Sequence, residues 1–213
     1  DGGWSWDTRS CESPRTTGMG VSYVAVACSL DALASLYSAR DEALFGRVVR
    51  SDDPRVLHYL RVACRGGHSA EAVLAEIFRG EALKTFGGHV YAYALLACAY
   101  VVGHDLGGFD CAYGRAEKLR TRLDALGEGD GAVPMFLDAW PLPGLILEDY
   151  PGCTTLRADE VVRLAEATRA MIGRVGASFD AEDDAVSLAL LNWLADCYAG
   201  AAPRGSDLLL VVH

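Results

Sequence analysis

Many signatures that tie a chain to a known chemistry are missing from this one. It contains no GxGxxG, no GxxxxGK followed by Ser or Thr, no GxSxG and no SxxK, so dinucleotide binding, P-loop phosphate binding and the common serine hydrolases lack their loops. There is no HxH, HExxH or HxxxH, and no CxxC, which removes the usual spacings for zinc and for thioredoxin-type redox pairs. Cys64 and His68 have a workable spacing but supply only two of the three or four ligands a metal needs. No metal site and no cofactor are expected. Basic charge is also short: 19 Lys and Arg stand against 29 Asp and Glu, a formal net charge of -10. A field of that sign repels phosphates and anionic lipids, so neither nucleic acid nor a membrane surface is expected as a partner. The longest strongly apolar run, Val90 to Val102, has about thirteen residues, fewer than the roughly twenty of a membrane span. No charged start, compact apolar stretch and small-residue cleavage site follow one another, so no signal peptide is read.

Of the 213 residues, 51% are apolar and 23% charged, which is ordinary for a globular chain and enough for one sizeable core. Seven cysteines, Cys11, Cys28, Cys64, Cys98, Cys111, Cys153 and Cys197, are odd in number and mostly embedded in apolar stretches. That is the pattern of reduced thiols in a cytoplasm.

Residues 1–18 are rich in Gly, Ser, Thr, Pro and charge and read as an N-terminal extension, with a single globular domain over 19–213. Within the extension, Trp4 and Trp6 are expected to dock in an apolar groove of peptide size. VSYVAVAC (21–28) predicts a strand. Ser29, Asp41, the Asp53-Pro54 pair and Ser69 each read as the start of a helix, and Gly80 as the end of the fourth. HVYAYALLACAYVV after Gly87-Gly88 is apolar nearly all round and belongs at the centre of the fold. HDLGGFDCAY (104–113), with adjacent glycines and two aspartates, predicts a loop. A charged helix from about Gly114 to Leu126 follows, then a proline-rich stretch over 133–153 with a short strand at Leu145 to Leu147. Helices over about 158–172 and 181–199 and a last strand, DLLLVV, end the chain. The fold class is α+β and predominantly helical, with about seven helices packed on a small sheet formed by the N- and C-terminal strands.

VSYVAVACSLDALASLYSARDEAL, GGHVYAYALLACAYVVG and DLLLVVH, in that order, resemble a group of uncharacterised actinobacterial proteins over about residues 20–213. Gly88, His89, Tyr91, Tyr93, Ala94 and Leu95 match that group's GHxYGYAL pattern, and Ala92 departs from it. More distantly, the layout is similar to the YfbM-like proteins. The resemblance implies a fold and a bacterial, cytoplasmic setting, and no activity.

Two sets of side chains carry potential chemistry. His89, Tyr91 and Tyr93 open the central helix after two glycines, where backbone N–H groups attract anions and a ligand can approach closely; ordinary capping and ring packing explain them equally. His104, Asp105, Asp110 and Cys111 form the densest reactive set. A carboxylate-oriented histidine there serves as a general base and Cys111 as a nucleophile, if contacts of about 3 Å bring them together. A solvated turn with capping aspartates accounts for the same residues.

These observations favour a binding or interaction protein with a peptide-sized groove, taking a peptide, a small molecule or a basic protein. An enzyme of unfamiliar type acting on a peptide or small metabolite through the His/Asp/Cys set is the alternative, and an acidic immunity-like partner of a basic protein is a third. The oligomeric state is not set by the sequence.

Overall fold

A computed structural model describes residues 20–80, 85–128, 132–142, 145, 151–179 and 182–213, except for the side chains of 182–184. It begins with strand β1 (Gly20–Cys28), followed by helices α1 (Leu30–Ser35), α2 (Glu42–Val49), α3 (Pro54–Ala63), α4 (Ala70–Arg79) and α5 (Gly88–Val102). Strand β2 (His104–Ala112), helix α6 (Arg115–Ala125) and strand β3 (Gly152–Leu156) come next, then helices α7 (Ala158–Val175) and α8 (Glu182–Ala201) and strand β4 (Asp207–Val212).

The first helices begin where short polar side chains take up otherwise unpaired N–H groups. Ser29 accepts from Ala32, Asp41 from Leu44, Asp53 from Arg55 and Ser69 from Ala72. Gly80, in the left-handed region at φ 70°, ends α4.

All four strands are antiparallel, in the order β2-β1-β4-β3, so the terminal strands pair at the centre of the sheet. Helices cover both faces. Val24, Val26, Leu209 and Val211 pack with α1 to α5, whereas Tyr23, Ala25, Leu208 and Leu210 pack with α6, α7 and α8. Burial on both sides is the reason β1 and β4 read as continuous apolar runs without alternation. Helix α5 lies inside the first layer, with Val90 to Ala92 and Ala94 to Ala99 all buried, as its all-round apolarity requires. Over Ala185–Arg204, α8 and its 3-10 extension match a membrane span in length, with a mean hydropathy of 1.2. Here α8 packs against α6, α7 and the sheet, and Leu190, Leu191, Leu194 and Tyr198 are buried in the second layer.

One expectation is corrected. Residues 104–112 are a strand, not a loop. Val24 pairs with Gly108 and Val26 with Asp105, so Leu106 and Gly107 together oppose Ala25 in a bulge. Gly107 supplies its positive φ of 91° and Asp105 Oδ1 accepts the Gly107 N–H at 2.9 Å. Glycine and aspartate are here the material of a bulged edge strand. Among the described residues of and just after the proline-rich region a strand runs over Gly152–Leu156; Ile146 and Leu147 of the strand expected at 145–147 lie outside the described residues.

Candidate functional site

Strand β2 distributes its four reactive residues by its pleat. Asp105 and Asp110, opposite Val26 and Ser22, face the α1 to α5 layer; His104 and Cys111, opposite Ala27 and Val21, face the other. Asp105 Oδ2 is ion-paired with Arg55 Nη1 at 2.5 Å. Asp110 accepts a hydrogen bond from Ser22 Oγ at 2.5 Å. His104 Nε2 lies 3.1 Å from Arg204 Nη2. Burial pushes the Cys111 thiol up to about 11, only partly offset by Arg115, which leaves it protonated at neutral pH. His104 and Cys111 are separated by roughly 20 Å of strand at about 3.3 Å per residue. No nucleophile–base pair forms among these four.

On α5, His89 is exposed in the first turn, and Tyr91 and Tyr93 point to different neighbours. The buried Tyr91 hydroxyl donates to Glu76 Oε2 at 2.5 Å and accepts from Phe86 N at 3.2 Å. Burial and the Glu76 carboxylate raise its pKa to about 12. Tyr93 turns toward α3, where its ring stacks on Tyr59 with centroids 6.2 Å apart.

Tyr59 is the hub of a cluster that sequence reasoning did not assemble. It stacks on Tyr100 at 5.5 Å, its hydroxyl is hydrogen-bonded to Tyr100, and it lies 3.1 Å from His213 Nε2. Arg55 sits over the Tyr100 ring at 5.9 Å. Burial pushes Tyr59 up to about 12. Burial and, second, His58 lower the pKa of His213, while Asp110 opposes them. The ring is therefore neutral at pH 7, and its Nε2 shares a hydrogen bond with the Tyr59 hydroxyl. The arrangement ties α3 and α5 to the end of β4.

A cleft of 330 Å³ opens between the sheet and residues 135–140. Tyr23, Val212 and Cys153, from β1, β4 and β3, line it together with the buried Phe136 and Trp140; Tyr23, Phe136 and Val212 belong to the second layer and Cys153 and Trp140 to the first. Its rim carries Tyr113, Met135 and Leu137, exposed to 63%, 62% and 78%. Backbone geometry sets this pattern. Phe136 has φ 57°, in the left-handed region that a bulky residue rarely enters. It is held there by its N–H on Thr154 Oγ1 at 3.1 Å and by Asp138 N–H on the Cys153 carbonyl at 3.0 Å. Gly152 permits the approach, because a Cβ there would lie 2.6 Å from the Phe136 carbonyl oxygen. The turn sends the Phe136 ring inward against Tyr23, at 5.2 Å between centroids, while Met135 and Leu137 on either side stay exposed. Trp140 is fixed by a bond from Nε1 to the Pro151 carbonyl at 3.1 Å. Glu117, Arg120 and Asp138 add charge to the lining, and Arg120 Nη1 is held by the Pro134 carbonyl at 2.7 Å.

Among the described residues, no three His, Cys, Asp or Glu side chains converge as metal ligands. Trp4 and Trp6 lie outside the described residues. A family profile described as a domain of unknown function, DUF7691, matches residues 19–213. No curated protein and no solved structure matches the chain.

Proposed function

Since the chain belongs to the DUF7691 family, whose description carries no activity, we propose its function from the cleft: it is a binding protein that takes up a short peptide segment through bulky apolar side chains. One observation carries this reading. Four large hydrophobic residues are exposed among those described, and three of them, Tyr113, Met135 and Leu137, stand on the rim of one cleft. Isolated exposed apolar residues need no explanation, whereas their concentration around a concavity marks an interaction site. The 330 Å³ volume falls at the small end of the roughly 300–1,000 Å³ of ligand pockets. Each rim side chain contributes about 2 kcal/mol when covered. A partner therefore needs polar contacts as well to outweigh the entropy of association, and Glu117, Arg120 and Asp138 offer them.

The reading sets the protein in a reducing bacterial cytoplasm. Six described cysteines are free, four of them buried, and burial pushes Cys98 up to about 12. An enzymatic use of His104, Asp105, Asp110 and Cys111 has less support, since the β2 pleat divides them between two faces.

Panning a random peptide library on the full chain and on a Met135→Glu/Leu137→Glu variant tests the reading. Both positions are exposed, so the variant should fold, which circular dichroism checks. Peptides enriched on the parent chain should carry aromatic or large aliphatic residues and bind the variant at least tenfold more weakly. Equal binding to both proteins, or no enrichment at all, refutes it.

A further inference from the structure

We propose, resting on the cleft reading above, that this chain supplies its own occupant: residues 1–18 fold back so that Trp4 and Trp6 enter the cleft, and an external segment must displace them. The starting point is where β1 begins. Gly20 pairs with Ala112, and the next two residues after Ala112, Tyr113 and Gly114, line the cleft. Tyr23, three residues after Gly20 in β1, also lines it. The chain preceding Gly20 therefore joins the sheet beside the cleft.

Reach is sufficient. Trp6 is 14 residues before Gly20, and a chain of that length reaches at most roughly 46 Å. The two tryptophans are separated by one residue, so an extended segment presents both indoles on one side. The segment carries charge of both signs, Arg9 and Arg15 against Asp1, Asp7 and Glu12, as does the cleft lining with Arg120 against Glu117 and Asp138, so the apolar indoles and not net charge select the cleft. A tether of this length holds the segment at an effective concentration on the order of 1 mM, so even a docking constant of about 0.1 mM fills the cleft and weakens an external competitor about tenfold. The segment precedes residue 19, where the family match starts.

Indole N–H resonances of the ¹⁵N-labelled full chain provide the test, compared with those of a synthetic peptide of residues 1–18. Trp4 and Trp6 signals should be displaced from their free-peptide positions and return to them in Leu137→Glu. A Trp4→Ala/Trp6→Ala variant should shift the amides of Tyr113 and Leu137 and bind the added peptide about tenfold more tightly than the parent. Indoles at free-peptide positions in the parent chain overturn the proposal. In that case, saturable binding of the peptide by the double variant would leave the cleft reading standing, whereas failure of both this binding and the library panning would bring both down. Displacement that grows with protein concentration would assign the segment to a second copy and overturn docking within one chain.

Discussion

Asp207 is a single carboxylate that starts two helices. As the first residue of β4, it accepts the Leu30 N–H on Oδ2 at 2.9 Å and the Ala158 N–H on Oδ1 at 3.0 Å. These are the first residues of α1 and α7, and the local caps do not serve them. Ser29 takes the Ala32 N–H, and Glu160 takes the Arg157 N–H. The Asp207 side chain is only 14% exposed, so water is a poor substitute. A hydrogen bond to a charged group contributes about 1.5–3 kcal/mol, and a carboxylate at a helix N-terminus a further 0.3–1 kcal/mol or so. Allowing for partial solvation of the freed N–H groups, Asp207→Ala should destabilise the protein by about 3 kcal/mol. That corresponds to a fall in Tm of roughly 6–12 °C for a chain of this size. Asp207→Asn keeps one acceptor and turns an NH2 group toward the second N–H, so about 2 kcal/mol is expected. Urea unfolding followed by circular dichroism at pH 7 gives the totals, and hydrogen exchange at the Leu30 and Ala158 amides gives the local effect. A Asp207→Ala variant within about 0.5 kcal/mol of the parent, with both amides still protected, would refute the argument.

Acid should weaken the fold through His213. Its folded pKa lies below the ordinary value, first by burial and then by His58, so the unfolded chain binds the proton more readily. The stability it contributes is complete above about pH 6.5 and is lost as pH falls through the lower folded value. Urea midpoints measured from pH 8 to 5 should decline below that point, with a shallower decline in His213→Gln; equal slopes would refute the assignment. Two glycines should respond in opposite directions. At Gly103 an added Cβ would meet the Ala99 and Ala27 carbonyl oxygens at 2.7 and 2.8 Å, so Gly103→Ala should cost at least about 2 kcal/mol. At Gly173, inside α7, nothing lies within 4 Å, so Gly173→Ala should stabilise by about 0.5–1 kcal/mol. Thermal denaturation of both variants checks the pair.

What the sequence determined on its own was local. Ser29, Asp41, Asp53 and Ser69 start helices because each N–H they accept is two or three residues away. Gly80 stops one through its own backbone, and α5 is central because no face of it is polar. The buried strands β1 and β4 were legible as short apolar runs. Pairing decided the rest. β2 looks like a loop until Val24 and Val26 are placed beside it, about eighty residues away along the chain. Only then do its glycines become a bulge and its reactive residues separate onto two faces. Tyr59, Tyr100 and His213 meet because α3, α5 and β4 converge, and no short window of sequence contains that meeting. The cleft is tertiary throughout. Tyr113, Met135 and Leu137 sit in stretches without period, and their exposure follows from the turn at Phe136, which Thr154 and Gly152 of a separate strand hold in place. Caps and apolar periodicity act over one helical turn and can be read in one dimension, whereas a cleft depends on contacts whose energy exists only after distant segments have been brought together.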